Sequence, residues 1–252
     1  EQDIESAWNI QAGFLVSEWP TDDPRFEVYG TTVPAKVVGG DFYDFARIDE
    51  NRLGLLIGDV SGKGVPAALT MAQLLAEFRL GASEVSSPSE LIAKLNEGLV
   101  KRSQRGMFCT VAVVAVDLRD GSLLGANAGH HPLLVATEGR VAHILEASGP
   151  PIGVLPGISW TDETGTIDPG ETLVFYTDGI VEARSGATRA PGTTPEGEFG
   201  LRRVERIVRE RYPTSPRALI DAVILEVQDY CSPMSPHDDC TMIAVRYNGN
   251  GS

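Results

Sequence analysis

Four aspartates stand beside apolar runs that lie far apart in the chain, each in a turn flanked by glycine or polar residues. Asp41 follows Val38-Gly39-Gly40, and Asp59 follows Leu55-Leu56-Ile57-Gly58. Asp178 follows Leu173-Val174-Phe175-Tyr176-Thr177, and Asp238 opens Asp238-Asp239-Cys240-Thr241. A carboxylate at the end of a buried strand is costly to desolvate unless something positive pairs with it. Lys and Arg are scarce around these turns, so a shared divalent cation is the economical partner if the four ends converge. All-oxygen donors point to a hard ion such as Mg or Mn.

The chain has 252 residues, 42% apolar and 22% charged, which allows one large α/β or α+β domain with a full core. The formal net charge of −14 disfavours nucleic acid and anionic membrane surfaces as partners. Three cysteines (Cys109, Cys231 and Cys240) are odd in number and lack CxxC spacing, which fits buried free thiols in a reducing, cytoplasmic setting. No apolar stretch approaches a membrane span, so direct membrane insertion is not expected, and no signal-peptide layout precedes the first motif. The sequence starts without Met, and a segment of something longer is the expectation.

Residues 3–16 carry apolar groups at helical spacing and read as a helix without an opening cap. Strands are predicted over 26–33, 40–48 and 52–60. A helix follows from Pro66 through Phe78; proline suits a first helical turn, where its missing N–H is not needed. Another helix runs from Ser87-Pro88 to about Lys101. The β-branched run 107–118 turns at Asp120-Gly121 into 122–128, and 132–136 pairs with 141–145 around Glu138-Gly139. Strands at 171–176 and 241–247 enclose two helical patterns, 199–211 and 216–230. Residues 185–198 hold almost nothing apolar and read as a surface loop, either a flap over the Asp178 turn or a tolerated insertion. Hairpins with helices in pairs favour an α+β layered sandwich over a wound parallel sheet.

The stretch Gly58-Asp-Val-Ser-Gly-Lys-Gly64 superficially resembles a phosphate loop but fails on spacing, with three residues between its first glycines and glycine after the lysine. Its glycines are better read as allowing a tight turn that aims Asp59 and a carbonyl at one ion. Lys63 is then either an attractor for an anionic substrate or a solvated lysine.

In order, GGDFYDF, GDVSGKGVPAALTMA, NAGHHP, GPPIGV, LVFYTDGIVEAR and HDDCTMIAVR closely resemble the metal-dependent protein phosphatases, in particular their bacterial SpoIIE/RsbU-like branch. The resemblance covers about residues 10–247. It implies a four-layer α-β-β-α sandwich of two antiparallel sheets flanked by helix pairs. The implied activity is hydrolysis of phosphoserine or phosphothreonine in proteins, with two Mn or Mg ions. Carried over by motif, the metal ligands would be Asp41, Asp59, the Val60 carbonyl, Asp178 and Asp238, with Asp59 and Asp178 acting through metal-bound water. Asp239 would support the ligands from behind, and Asp44 is read as a structural carboxylate capping a turn. Ser61 replaces a histidine proposed as general acid in the eukaryotic branch, and His130 replaces an aspartate that can bind a third metal. His130 is therefore either a ligand or, as is commoner for such a residue, a packed hydrogen-bonded one. Lys36 is the nearest cation to Asp41 and a weak phosphate clamp; His237 either supports a ligand or is a plain loop residue.

The same resemblance implies that residues 1–18 form a linker helix from an upstream sensory domain in cis, packed on the helix after Pro66, with residues 19–248 as the phosphatase domain. It implies a phosphorylated regulatory protein as partner, an anti-sigma-factor antagonist of STAS type, and leaves a homodimer open. Two rival readings are a non-catalytic phosphoprotein-binding regulator of the same fold and a metal-dependent hydrolase of a small phosphorylated metabolite. Cys109 is followed by Thr-Val-Ala-Val-Val-Ala, which offers no cradle for a thiol-phosphate route.

Overall fold

A computed structural model describes residues 13–14, 16, 22–35, 38–102, 106–186 and 197–249. In chain order the strands are β1 (Phe26–Val33), β2 (Asp41–Arg47), β3 (Arg52–Val60), β4 (Cys109–Asp117), β5 (Ser122–Ala128), β6 (Leu133–Thr137), β7 (Arg140–Ile144), β8 (Glu163–Thr166), β9 (Thr172–Tyr176) and β10 (Cys240–Tyr247). The helices are α1 (Val65–Gly81), α2 (Pro88–Arg102), the single turn α3 (Asp178–Val181), α4 (Leu201–Arg211) and α5 (Pro216–Cys231).

Two five-stranded antiparallel sheets result, ordered β1-β10-β9-β6-β7 and β2-β3-β4-β5-β8. They stack face to face, and α1 with α2 covers the outside of the second sheet while α4 with α5 covers the first. This is the expected four-layer sandwich. Because both faces of each sheet are covered, its central strands read as nearly continuous apolar runs. Alternation still assigns each residue to a layer. Leu53, Leu55 and Ile57 of β3 point between the sheets with Phe175, Ile243 and Val245. Leu56 and Val60 point outward to Met71, Leu74 and Phe78 of α1 and Leu95 of α2. On the other side Val174, Tyr176, Met242 and Ala244 meet Val204 and Ile207 of α4 and Ile220 and Val223 of α5.

A close approach requires Gly58 on β3, and a positive φ requires Gly121. Phe42 lies across the strand from Gly58, where an added Cβ would stand 2.6 Å from the Phe42 ring and 2.9 Å from the Thr110 carbonyl. Gly121 takes φ +75° in the β4–β5 turn, the left-handed conformation that the Asp-Gly signal predicts.

Two elements depart from the sequence reading. Strand β8, with sequence ETGT, is exposed at all four residues and pairs with β5 only at the sheet edge, so it carries no apolar signal. Asp44 does not cap a turn. It lies inside β2, one residue out of phase with Asp41, so its side chain points to the helical layer, where Arg79 Nε of α1 donates to Asp44 Oδ2 at 2.5 Å. The carboxyl is buried, which raises its pKa, and the Arg79 guanidinium works against that shift. Arg79 Nη2 also donates to the Phe14 carbonyl at 2.7 Å. The helix predicted over 3–16 lies almost wholly outside the described residues, as does most of the 185–198 loop.

Phe175 fills the space between the sheets and is fully buried. Phe175→Ala should cost about 3–5 kcal/mol, read as a lower urea midpoint with an unchanged m-value. A midpoint within error of wild type would show that the inter-sheet layer does not carry the stability assigned to it.

Candidate metal centre

The acidic cluster is built by strand register. In the β2–β3 ladder Asp41 stands directly opposite Asp59, so both side chains share one sheet face at one end of the inter-sheet layer. Directly opposed like charges are unfavourable. Asp59 is pushed up to about 6, first by burial and then by the negative charges of Asp178, Asp238 and Asp239, while a hydrogen bond with Asp41 works the other way. Asp41 is buried and is raised well above the ordinary carboxylate range, by desolvation first and by Asp59 second. Burial and like charge both disfavour ionising the pair together, which marks where a positive charge is wanted.

Sheet one brings the other acids to the same end. Thr177, just past β9, donates from Oγ1 to Asp41 Oδ2 at 2.6 Å and accepts from the Thr241 N–H at 3.2 Å. One buried hydroxyl thus ties β2 to the ends of β9 and β10, the two strand ends that carry Asp178 and Asp238. Asp178 opens α3 and is half-buried. Asp239 is buried, and its Oδ1 accepts from the Ala35 N–H at 2.9 Å. Gly179 is what lets α3 press against this turn, since a Cβ there would lie 1.9 Å from the Asp239 carbonyl oxygen.

At Gly40 the backbone leaves an opening that a side chain would close. A Cβ there would sit 2.5 Å from the Val60 carbonyl oxygen and 3.3 Å from Asp59 Oδ1. Asp59, Asp238, Asp239, Gly40, Gly62 and Lys63 line a small cleft at this point. A roomier cavity, about 340 Å³, lies elsewhere, between the α1–α2 junction and the far end of β3 around Arg52 and Gly54. It contains none of the clustered acids.

Among the described residues, no three His, Cys, Asp or Glu side chains already stand positioned to hold an ion. The existing bonds account for this: Asp41 is held by Thr177, and Asp238 Oδ2 accepts from Lys63 Nζ at 2.8 Å. The donor set nonetheless fits a hard cation. It is all oxygen, it is short of positive charge, and Asp59 faces the cleft while the Val60 carbonyl lies close behind Gly40.

Asp41, Asp59, Val60, Asp178, Asp238 and Asp239 thus come together. Lys63 is neither free nor simply solvated, since it also donates to the His237 carbonyl at 3.2 Å. His237 itself is an exposed loop residue. His130 is buried, with Nε2 donating to the Tyr176 carbonyl at 3.1 Å and Nδ1 accepting from Thr110 Oγ1 at 3.0 Å. Both ring nitrogens are committed, and burial pulls the imidazole down to about 3, so it packs as a neutral group. Ser61 ties β3 to β4: its N–H donates to the Phe108 carbonyl at 2.8 Å and its Oγ accepts from the Phe108 N–H at 2.9 Å. Lys36 lies outside the described residues. Sequence reasoning missed Thr177, although a hydroxyl at the end of an apolar strand, next to an acid, was the available signal.

A family model described as Stage II sporulation protein E matches residues 49–248. The chain belongs to the SpoIIE family. Among curated relatives it is 28% identical to Protein IcfG of Synechocystis sp. over 98% of this chain and 42% of IcfG. It is 25% identical to phosphoserine phosphatase RsbU of Bacillus subtilis over 98% of this chain and 70% of RsbU. The chain thus spans less than half the length of IcfG. The SiaA-PP2C domain of Pseudomonas aeruginosa superposes with a TM-score of 0.81 at 22% identity, covering 98% of this chain and 96% of that one. The SpoIIE-family chain therefore shares the PP2C-type sandwich, with its acidic cluster at one end of the two sheets.

Since the Asp59 carboxyl is raised from 3.8 to about 6, the folded state holds its proton more tightly than the unfolded chain. That contribution is fully present below about pH 4 and is lost as pH rises through 6. In chelator at pH 8, Asp59→Asn should therefore melt a few degrees above wild type, and the two should converge at pH 4. Manganese at pH 8 should raise the wild-type melting temperature but not that of Asp59→Asn. Equal melting curves at pH 8 would contradict the electrostatic account.

Proposed function

We propose that this domain is a Mn- or Mg-dependent protein-serine/threonine phosphatase acting on a phosphorylated regulatory protein. The observation that carries the reading is the Asp41–Asp59 pair, with Asp178, Asp238 and the Val60 carbonyl at the same end of the sandwich. RsbU, a relative across 98% of this chain, bears the name phosphoserine phosphatase. Asp41, Asp59, the Val60 carbonyl, Asp178 and Asp238 are the groups that would hold two ions, with Asp59 placed to serve both.

When bound, such ions supply charge neutralisation for a phosphomonoester dianion and acidify water for attack. The chain's own residues do the positioning. Thr177 fixes one oxygen of Asp41, and Asp239 holds the Ala35 N–H from behind. Lys63 holds Asp238 Oδ2 through its ammonium. In the net reaction water adds its oxygen to phosphorus, the P–O ester bond breaks, and the departing serine oxygen takes a proton from solvent. His130 does not deliver that proton, because both of its nitrogens are engaged inside the fold. Cys109 is not a nucleophile either: it is fully buried, and burial holds its thiol far from ionisation.

The resemblance to SpoIIE/RsbU-like proteins supports an anti-sigma-factor antagonist of STAS type as the substrate, with an upstream sensory region joined through residues 1–18. All three cysteines are free and buried, which supports a cytoplasmic setting, and no described helix is long and apolar enough to cross a membrane.

With manganese, the protein should hydrolyse p-nitrophenyl phosphate and a phosphoserine peptide, and chelator should stop both. Asp59→Asn and Asp178→Asn should each lower kcat by about 10²-fold or more. Hydrolysis that survives chelator, or wild-type rates in both variants, would refute the reading; binding of phosphoprotein without turnover would favour the non-catalytic regulator.

A further inference from the structure

Beside the acidic cluster the surface turns apolar. Val65 and Leu69 lie one helical turn apart on the first two turns of α1, and Phe108, Val154 and Leu155 lie on neighbouring loops; each is 41–66% exposed. Hydrogen bonds and close packing place them together. Phe108 is paired through its backbone with Ser61, two residues from Asp59. Thr70 Oγ1 of α1 lies 3.8 Å from Met107 Sδ. Gly153, which precedes Val154 and Leu155, packs so closely on the Met107 carbonyl that a Cβ would come within 2.7 Å of it. Asn96 of α2 holds the same loop from both sides, accepting from the Gly153 N–H at 2.8 Å and donating to the Leu155 carbonyl at 3.1 Å. The patch is therefore presented on a braced frame.

The cleft itself offers little with which to capture a substrate. Its described lining contains one cation, Lys63, already bonded to Asp238, among three carboxylates. Among the described residues a small phosphate ester would meet no further cationic side chain in this lining. Building on the phosphatase reading, we infer that Val65, Leu69, Phe108, Val154 and Leu155 form the docking rim for a phosphoprotein that presents apolar side chains beside its phosphorylated residue. Selectivity for a macromolecule over a metabolite then comes from hydrophobic contact next to the reacting group. Five partly exposed side chains give a few hundred Å², short of the roughly 800 Å² per partner of a stable complex. An area of that size suits a substrate that must leave after turnover better than a second copy of this chain, which would also cover the cleft.

The test uses two fluorescein-labelled phosphoserine peptides of equal charge, one flanked by Leu and Phe and the other by Ser and Gly. With manganese, wild-type kcat/KM should favour the apolar-flanked peptide by about tenfold. The double variant Leu69→Ser, Phe108→Ser should bring that ratio close to one, whereas Leu225→Ser, an equally exposed leucine on α5, should keep it. A wild-type ratio near one, or a ratio unmoved in the double variant, overturns the proposal. So does a wild-type dimer in sedimentation that the double variant dissociates. If neither peptide nor p-nitrophenyl phosphate is cleaved, the phosphatase reading fails by itself. Anisotropy then decides the rim: tighter binding of the apolar-flanked peptide, lost in the double variant, upholds it, and equal binding overturns it.

Discussion

Two carboxylates held face to face across a β ladder are the constraint on which this molecule is organised. Asp41 and Asp59 cannot drift apart, because the β2–β3 register fixes their backbones; Asp41 is buried at the end of the inter-sheet layer and Asp59 is half-buried at the cleft. The fold accepts this cost at a single place. It surrounds the pair with three further acids and brings the Val60 carbonyl close behind Gly40. Such a site is unfavourable for the chain alone and favourable for a multivalent cation. The rest of the sandwich can be understood as the frame that keeps the acids from relaxing.

That frame depends on the alternation phase. Odd-numbered positions of β2 and β3 face the space between the sheets, so Asp41 and Asp59 enter the cluster while Asp44 goes to α1 and Arg79. Slipping either strand by one residue would exchange these roles. The two sheets are joined at the same point by Thr177, which bonds to Asp41 of one sheet and to Thr241 of the other. The ligand candidates therefore come from both layers, although they are scattered over nearly 200 positions of sequence.

Much of this was legible beforehand. Strands β1, β3 and β5 coincide with their predicted bounds because each is an apolar run closed by a clear turn residue. The convergence of the aspartates could be anticipated from chemistry, since isolated acids at strand ends need a shared partner. Other features were not legible. Strand β8 has no apolar face to announce it. The Arg79–Asp44 pair joins a helix to a strand 35 residues away, and nothing local encodes it. Lys63 looked solvated because its partner, Asp238, is 175 positions distant. Thr177 was readable only as an oddly polar strand terminus until the second sheet was laid over it.

The account stands or falls on ion stoichiometry. Equilibrium titration of the chelator-treated protein with manganese should reveal two ions per chain in the wild type, with both sites weakened in Asp59→Asn because that carboxylate would serve each under the proposed reading. A wild-type chain that binds no manganese, or an Asp59→Asn chain that binds two with undiminished affinity, would contradict it.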